Sequence, residues 1–172
     1  SSGGAGIQAD LKTFAAHGCF GMSVITAVTA QNTVGVTKIQ NINPDIVAAQ
    51  IDAVFSDIRV DAVKIGMVSQ TPIIKVIAER LAHYKPSIIV LDTVMVSKSG
   101  FDLLEPEACS TLINELMPLA NLVTPNLPEA EKIVGYEVES KDMMEKAAAK
   151  IIAMGPKAVL VKGGHLTETA DD

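Results

Sequence analysis

Apolar positions along the chain switch repeatedly between helical and strand spacing. Ile7, Leu11 and Phe14 recur at i, i+4 and i+7 and Gly18 closes the run, which predicts a short helix with a glycine stop. FGMSVITAVTAQ (20–31) is rich in β-branched residues and predicts a buried strand, while GVTKIQNI (35–42) alternates and predicts a more exposed one. Asn43-Pro44 opens a helix, because Asn caps well and Pro suits a first turn; Val47, Ile51, Val54, Phe55 and Ile58 form its apolar stripe. Four short apolar runs follow as strands: DAVKIG (61–66), SIIVLD (87–92), ANLV (120–123) and KAVLVK (157–162). Between them lie helical patterns. One is capped by Thr71-Pro72 and carries Ile74, Ile77, Ala78 and Leu81 on one face; another runs from Pro106 through Leu112, Ile113 and Leu116. A third spans Asn126 to Val134 and stops at Gly135, and a fourth is capped by Ser140 and runs to Gly155. Continuous apolar strands alternating with amphipathic helices predict an α/β fold, a three-layer α/β/α sandwich around a mostly parallel sheet.

Composition narrows this to one domain over 1–172. The chain has 172 residues, 48% of them apolar and 20% charged, enough for one real core and too apolar for disorder. A net charge of −6 with scattered basic residues gives no footprint for a phosphate backbone or an anionic membrane, so neither nucleic acid nor membrane is expected as a partner. The longest apolar runs are strand-sized, which predicts a soluble, cytoplasmic protein. Cys19 and Cys109 lie far apart without a CxxC spacing and read as inert, buried free thiols.

In sheets of this kind ligands bind beyond the carboxyl ends of the strands. Those positions hold Gln31-Asn32 after the first strand, Gly66-Met67, Asp92-Thr93-Val94-Met95, Thr124-Pro125-Asn126, and Lys162-Gly163-Gly164-His165. Each has a plain reading: Asn126 with Glu129 can be a helix cap, Asp92 can satisfy turn amides, Gln31 and Asn32 suit turns, Met67 packs, and Gly163-Gly164 makes a turn. All five falling at strand ends points to a site on one edge of the sheet.

The glycines of SSGGAGIQAD (1–10) precede the first helix. Gly4-Ala5-Gly6-Ile7-Gln8-Ala9 matches the GxGxxA spacing of a dinucleotide fingerprint, but no strand stands before it and no acidic residue ends the next strand. A GxxxxGK[ST] loop is absent from the sequence. The glycines are instead expected to let backbone approach a small ligand closely.

SGGAGIQADLKTFAAHG (2–18), TAVTAQNT (26–33), KIGM (64–67), DTVMVSKSG (92–100), TPNLPEAEKI (124–133) and VKGGH (161–165), in this order, resemble the hydroxymethylpyrimidine/phosphomethylpyrimidine kinases of thiamine biosynthesis, within the ribokinase-like superfamily. The resemblance spans the chain. It implies ATP and Mg²⁺ as cofactors, a homodimer, and an aminopyrimidine substrate hydrogen-bonded by Gln31, with Ala5, Asp10, Met67 and Val94 close to the ring. A glutamine amide offers donor and acceptor side by side to a ring nitrogen and an exocyclic amine. The resemblance further implies that Asn126 and Glu129 form an NxxE element organising Mg²⁺, water and phosphates, that Asp92 acts on the metal or nucleotide side, and that Lys162 and Gly163 approach the nucleotide. For Glu129 both readings, cap and metal organiser, stand together.

Three departures accompany the resemblance. The family's first strand and GSD- or GTD-type turn would precede Ser1, its usual DPVM is here Asp92-Thr93-Val94-Met95, and its GTG anion hole with the catalytic Cys or Asp would follow VKGGH. The expectation is therefore an incomplete ribokinase-like domain whose catalytic residue is unknown and which, as 172 residues alone, does not transfer phosphate. The alternatives are a pyridoxal kinase of the same architecture, a non-catalytic pyrimidine-binding module, and more distantly a dehydrogenase.

Overall fold

A computed structural model describes residues 2–95 and 104–163. Helix α1 (Gly6–Ala16) leads into a hairpin of β1 (Ala27–Gln31) and β2 (Val36–Asn41), followed by α2 (Pro44–Asp57), β3 (Val63–Ile65), α3 (Thr71–Tyr84) and β4 (Ile89–Leu91). Then come α4 (Pro106–Thr111), β5 (Leu122–Val123), α5 (Leu127–Val134), α6 (Lys141–Ile152) and β6 (Ala158–Val159). Strands β3, β4, β5 and β6 form one parallel sheet in that spatial order. Right-handed connections between parallel strands that always step the same way place every connecting helix on one face.

The two faces differ accordingly. Ile65, Ile89, Leu91 and Val123 are buried on the face covered by helices, with Leu91 and Val123 fully inaccessible. Each such side chain contributes about 1.5–3 kcal/mol by leaving water. Val47 and Ile51 of α2, Ile73, Ile74, Ile77 and Leu81 of α3, and Ala147 and Ile151 of α6 complete the same core. Alternation puts Lys64 on the other face, where its Nζ pairs with Asp10 Oδ1 of α1 at 2.6 Å. Helix α1 is thus the second helical layer among the described residues, and it buries no residue fully.

Caps fall where side-chain chemistry puts them. Asn43 Oδ1 accepts from Asp45 N at the start of α2, Ser140 Oγ accepts from Met143 N at the start of α6, and Gly135 ends α5 with φ 78. The α3 cap is shifted by one residue from the sequence expectation: Thr71 is already helical, Gln70 is the N-cap, and no side chain bonds the first turn. The pattern from Pro106 continues past α4 as a π-turn, Leu112–Leu116, and a short 3-10 turn, Met117–Leu119; Leu112, Leu116 and Met117 all face the core. Helix α6 stops at Ile152, and Gly155 (φ 123) follows so close to Pro118 that a Cβ there would lie 2.9 Å from the Pro118 Cα.

The largest departure lies in 20–31. The expected buried strand is a strand only over Ala27–Gln31, and it pairs antiparallel with β2 in a separate two-stranded sheet. β-branched composition needs a ladder partner before it becomes a strand, and within 20–26 the hairpin ladder continues only as the Ile42 N–H donating to Thr26 O at 2.9 Å, with no strand pairing before it among the described residues. One side chain substitutes: Gln50 Oε1 accepts from Ile25 N at 2.9 Å and Gln50 Nε2 donates to Ile25 O at 3.1 Å, copying a strand neighbour. Phe20 remains 82% exposed. Cys19 is exposed rather than buried, and Cys109 is half-buried; both are free thiols. Burial pushes the Cys109 thiol up from its ordinary value, with Lys132 pulling weakly the other way. No helix among the described residues is long and apolar enough to cross a membrane.

Candidate functional site

The carboxyl ends of β4, β5 and β6 are tied together by two carboxylates. Asp92 follows β4 directly and is held by its own N–H, which donates to Ile65 O at 2.9 Å. Its Oδ1 accepts from Lys162 Nζ at 3.1 Å and from Thr124 Oγ1 at 3.3 Å, so one oxygen joins three strand ends. The Asp92 and Lys162 side chains are 26% and 39% exposed, open enough for a ligand to reach them. Lys162 is placed by a parallel bridge to Asn126 and by its N–H donating to Pro125 O at 2.8 Å. The expected strand 157–162 is therefore a short ladder, Ala158–Val159, resumed at Lys162.

Glu129 works from inside. It is 4% exposed, at the third position of α5, and forms a reciprocal capping box with Asn126: Glu129 N donates to Asn126 Oδ1 at 2.9 Å and Asn126 N donates to Glu129 Oε2 at 3.0 Å. Two further donors come from the loop after β4. Thr93 Oγ1 donates to Oε2 at 3.0 Å and Met95 N donates to Oε1 at 3.3 Å. The plain reading of Glu129 as a cap is correct, and the same carboxylate also braces a second loop. Among the described residues no three His, Cys, Asp or Glu side chains gather as a ready metal cage.

The remaining expected residues lie around α1 and the hairpin. Ala5 is the N-cap of α1 and supplies no side-chain cap, and the first turn has no acidic residue. A Cβ on Gly4 or Gly6 would meet nothing within 4 Å, so the backbone here borders open space. Ser2 N donates to Gln31 O at 3.1 Å, which brings the glycine loop against the bulge at Ala30/Gln31. Gln31 thus stands at the far end of the hairpin rather than on the edge of the parallel sheet, which corrects the expectation of five strand ends in one row. Asn32 is a turn residue, its Oδ1 accepting from Val34 N and Gly35 N. The hairpin base is tied to the loop after β3: Thr26 Oγ1 donates to Met67 O at 3.0 Å, and Ser69 Oγ donates to Asn41 Oδ1 at 2.6 Å. Val94, half-buried, is set by its N–H donating to Asp92 O at 2.9 Å. Gly163 is buried at the end of the described chain; Gly164, His165 and the segment 96–100 lie outside the described residues.

The structure therefore brings together Asp92, Lys162, Asn126 and Glu129 in one group, and Ala5, Asp10 and Gln31 around α1 and the hairpin in another. Sequence reasoning placed Thr93 and Thr124 at strand ends without giving either a role, and it missed Lys64 and Ser69. Lys64 carried a signal, since a lysine inside an apolar strand pattern calls for a partner. Thr93 carried one too, as a polar residue between half-buried neighbours that itself becomes fully buried.

Comparison with known proteins places this arrangement. A family model described as phosphomethylpyrimidine kinase matches residues 1–172. The hydroxymethylpyrimidine/phosphomethylpyrimidine kinase of Escherichia coli K12 is 53% identical over 169 residues, 97% of this chain and 63% of that protein. A crystal structure of phosphomethylpyrimidine kinase from Clostridium difficile 630 superposes with a TM-score of 0.92 at 56% identity, covering 98% of this chain and 73% of that one. The ADP complex of Bacillus subtilis pyridoxal kinase superposes with a TM-score of 0.87 at 38% identity, covering 98% of this chain and 64% of that one. The chain thus spans 63% of the length of its E. coli relative. On this match over the whole chain and these identities, the chain belongs to the phosphomethylpyrimidine kinase family.

Proposed function

We propose that the protein carrying this chain is an ATP- and Mg²⁺-dependent kinase. It phosphorylates the hydroxymethyl group of 4-amino-5-hydroxymethyl-2-methylpyrimidine and then its monophosphate to the diphosphate, in thiamine biosynthesis. The observation that carries this reading is the joining of three parallel strand ends by Asp92, Lys162 and Glu129. Phosphoryl transfer depends on positioning and on neutralising charge around the phosphates, and strand ends cross-tied in this way hold their polar groups still.

Roles divide between the two groups. Lys162 supplies a positive charge for phosphate oxygens and Gly163 a close backbone approach to the nucleotide, whose ADP form is bound by the B. subtilis relative. Mg²⁺ takes oxygen ligands and keeps several waters. The donor set fits it: Asp92 uses only Oδ1 among the described residues, and Glu129, with both oxygens already accepting, would reach the ion through those waters. When bound, the ion would offset the negative charge of the phosphates. Gln31, Ala5, Asp10, Met67 and Val94 line the pyrimidine side. The protein works as a homodimer in the cytoplasm.

A pyridoxal kinase is the second reading, favoured by the 38% identity to the B. subtilis pyridoxal kinase. Comparing kcat/KM for the pyrimidine and for pyridoxal with the full-length protein decides between them. The pyrimidine is expected to be preferred, and Gln31→Ala to lose roughly tenfold or more in kcat/KM for it while pyridoxal turnover changes little. Preference for pyridoxal, or equal loss on both substrates, overturns the assignment.

A further inference from the structure

Thr93 is 0% exposed and yet polar, and a buried hydroxyl is costly unless it is bonded. Its partner is Glu129 Oε2, 3.0 Å away and 36 residues along the chain. The same oxygen also accepts from Asn126 N at 3.0 Å, a bond that belongs to the α5 cap and does not depend on Thr93. The cap restrains the carboxylate through a single bond to Oε2, and the last side-chain torsion of Glu129 is soft, so one bond holds its orientation only loosely. What fixes it is the pair of donors from the loop after β4. Of these the Met95 N–H is the longer contact, 3.3 Å, whereas the Thr93 hydroxyl makes a shorter, charge-assisted bond to the carboxylate. The proline of the resembled family's usual Asp-Pro-Val-Met has no hydroxyl to give.

We infer that Thr93 is a positioning residue: its hydroxyl sets the orientation of the Glu129 carboxylate and couples the loop carrying Asp92 to the Asn126–Glu129 turn. The functional consequence rests on the kinase reading, in which Asp92 and Glu129 must face one ligand. Thr93 touches neither nucleotide nor substrate in this account. It acts through Glu129.

The test compares Thr93→Val, which keeps the volume and removes the donor, with Thr93→Ser, which keeps the donor. Two quantities are read in the full-length protein: the hydrogen-exchange rate of the Met95 amide, and the Mg²⁺ concentration at half-maximal ATP binding by titration calorimetry. Thr93→Val is expected to raise both roughly tenfold while pyrimidine affinity stays within about twofold, and Thr93→Ser to stay near wild type. Should Thr93→Val not fold, Thr93→Cys, a weak donor of similar size, carries the same expectations at reduced amplitude. Wild-type values in Thr93→Val overturn the inference, and so does equal impairment in Thr93→Ser, which would make the effect one of packing. If the wild-type protein binds no ATP at any Mg²⁺ concentration, the kinase reading fails, and the Met95 exchange rate still decides the role of Thr93.

Discussion

The ends of β4, β5 and β6 and the α1–hairpin region both carry candidate binding residues, but they are built on opposite principles. At the strand ends, Thr93 and Glu129 are buried, bonds such as Thr93–Glu129, Thr124–Asp92 and Lys162–Asp92 join elements distant in sequence, and the loops rest on a core containing Leu91 and Val123. In the other region α1 buries nothing fully, Val28 and Val34 are 58% and 85% exposed, and the hairpin is a two-stranded sheet of its own. Two-stranded sheets are marginal in isolation and deform easily. The contrast is one of build: the strand ends are cross-tied through buried side chains, and the α1–hairpin region is held by bonds such as Ser2 N to Gln31 O and Lys64 to Asp10; under the proposed function the first is the phosphate side and the second the pyrimidine side.

The largest break comes from Glu129→Ala. It strands the Thr93 hydroxyl and the N–H groups of Met95 and Asn126 in a buried setting, which costs about 3–5 kcal/mol and lowers the thermal midpoint by about 10 °C. A midpoint within about 2 °C of wild type would show that these bonds do not hold the loops. Next comes a pair of matched truncations. Leu91→Ala in the covered face of the sheet should cost about 2–5 kcal/mol in denaturant unfolding, and Leu11→Ala in α1 less than about 1 kcal/mol. Equal costs would erase the contrast between the regions.

Asp92→Asn sharpens it in a different way. The Asp92–Lys162 pair is partly exposed, so stability should change by less than about 1 kcal/mol, while ATP-dependent turnover should fall about 100-fold. The smallest effect concerns the thiols. Cys19 is exposed and Cys109 half-buried with its pKa raised by burial, so iodoacetamide at neutral pH should modify Cys19 first. Because the Cys109 thiol is raised, its labelling rate should keep climbing with pH beyond the point where an ordinary thiol levels off.

Much of the fold was legible in the sequence, and the reasons are local. Asn43, Asn126 and Ser140 cap helices because their side chains bond the next turn, and each sits at its predicted position. The parallel strands were legible as short apolar runs between amphipathic helices. Residues 20–26 were not, because whether a β-branched stretch becomes a strand depends on a partner, here the distant Gln50. In the candidate site, the strand-end rule brought forward Asp92, Asn126 and Lys162, and Glu129 came from the capping-box pattern and from the family resemblance. Thr93 escaped because its importance is set by burial and by a partner 36 residues away, neither of which spacing reveals.

The measurement that tests the two-sided site most directly is hydrogen exchange on the full-length protein with each ligand added separately. The aminopyrimidine alone should slow exchange over residues 2–8 and 27–41, and Mg²⁺ with a non-hydrolysable ATP analogue should slow it over 92–95, 124–129 and 160–163. Protection of the same segments by both ligands, or protection by the pyrimidine at the strand ends only, would contradict the division proposed here.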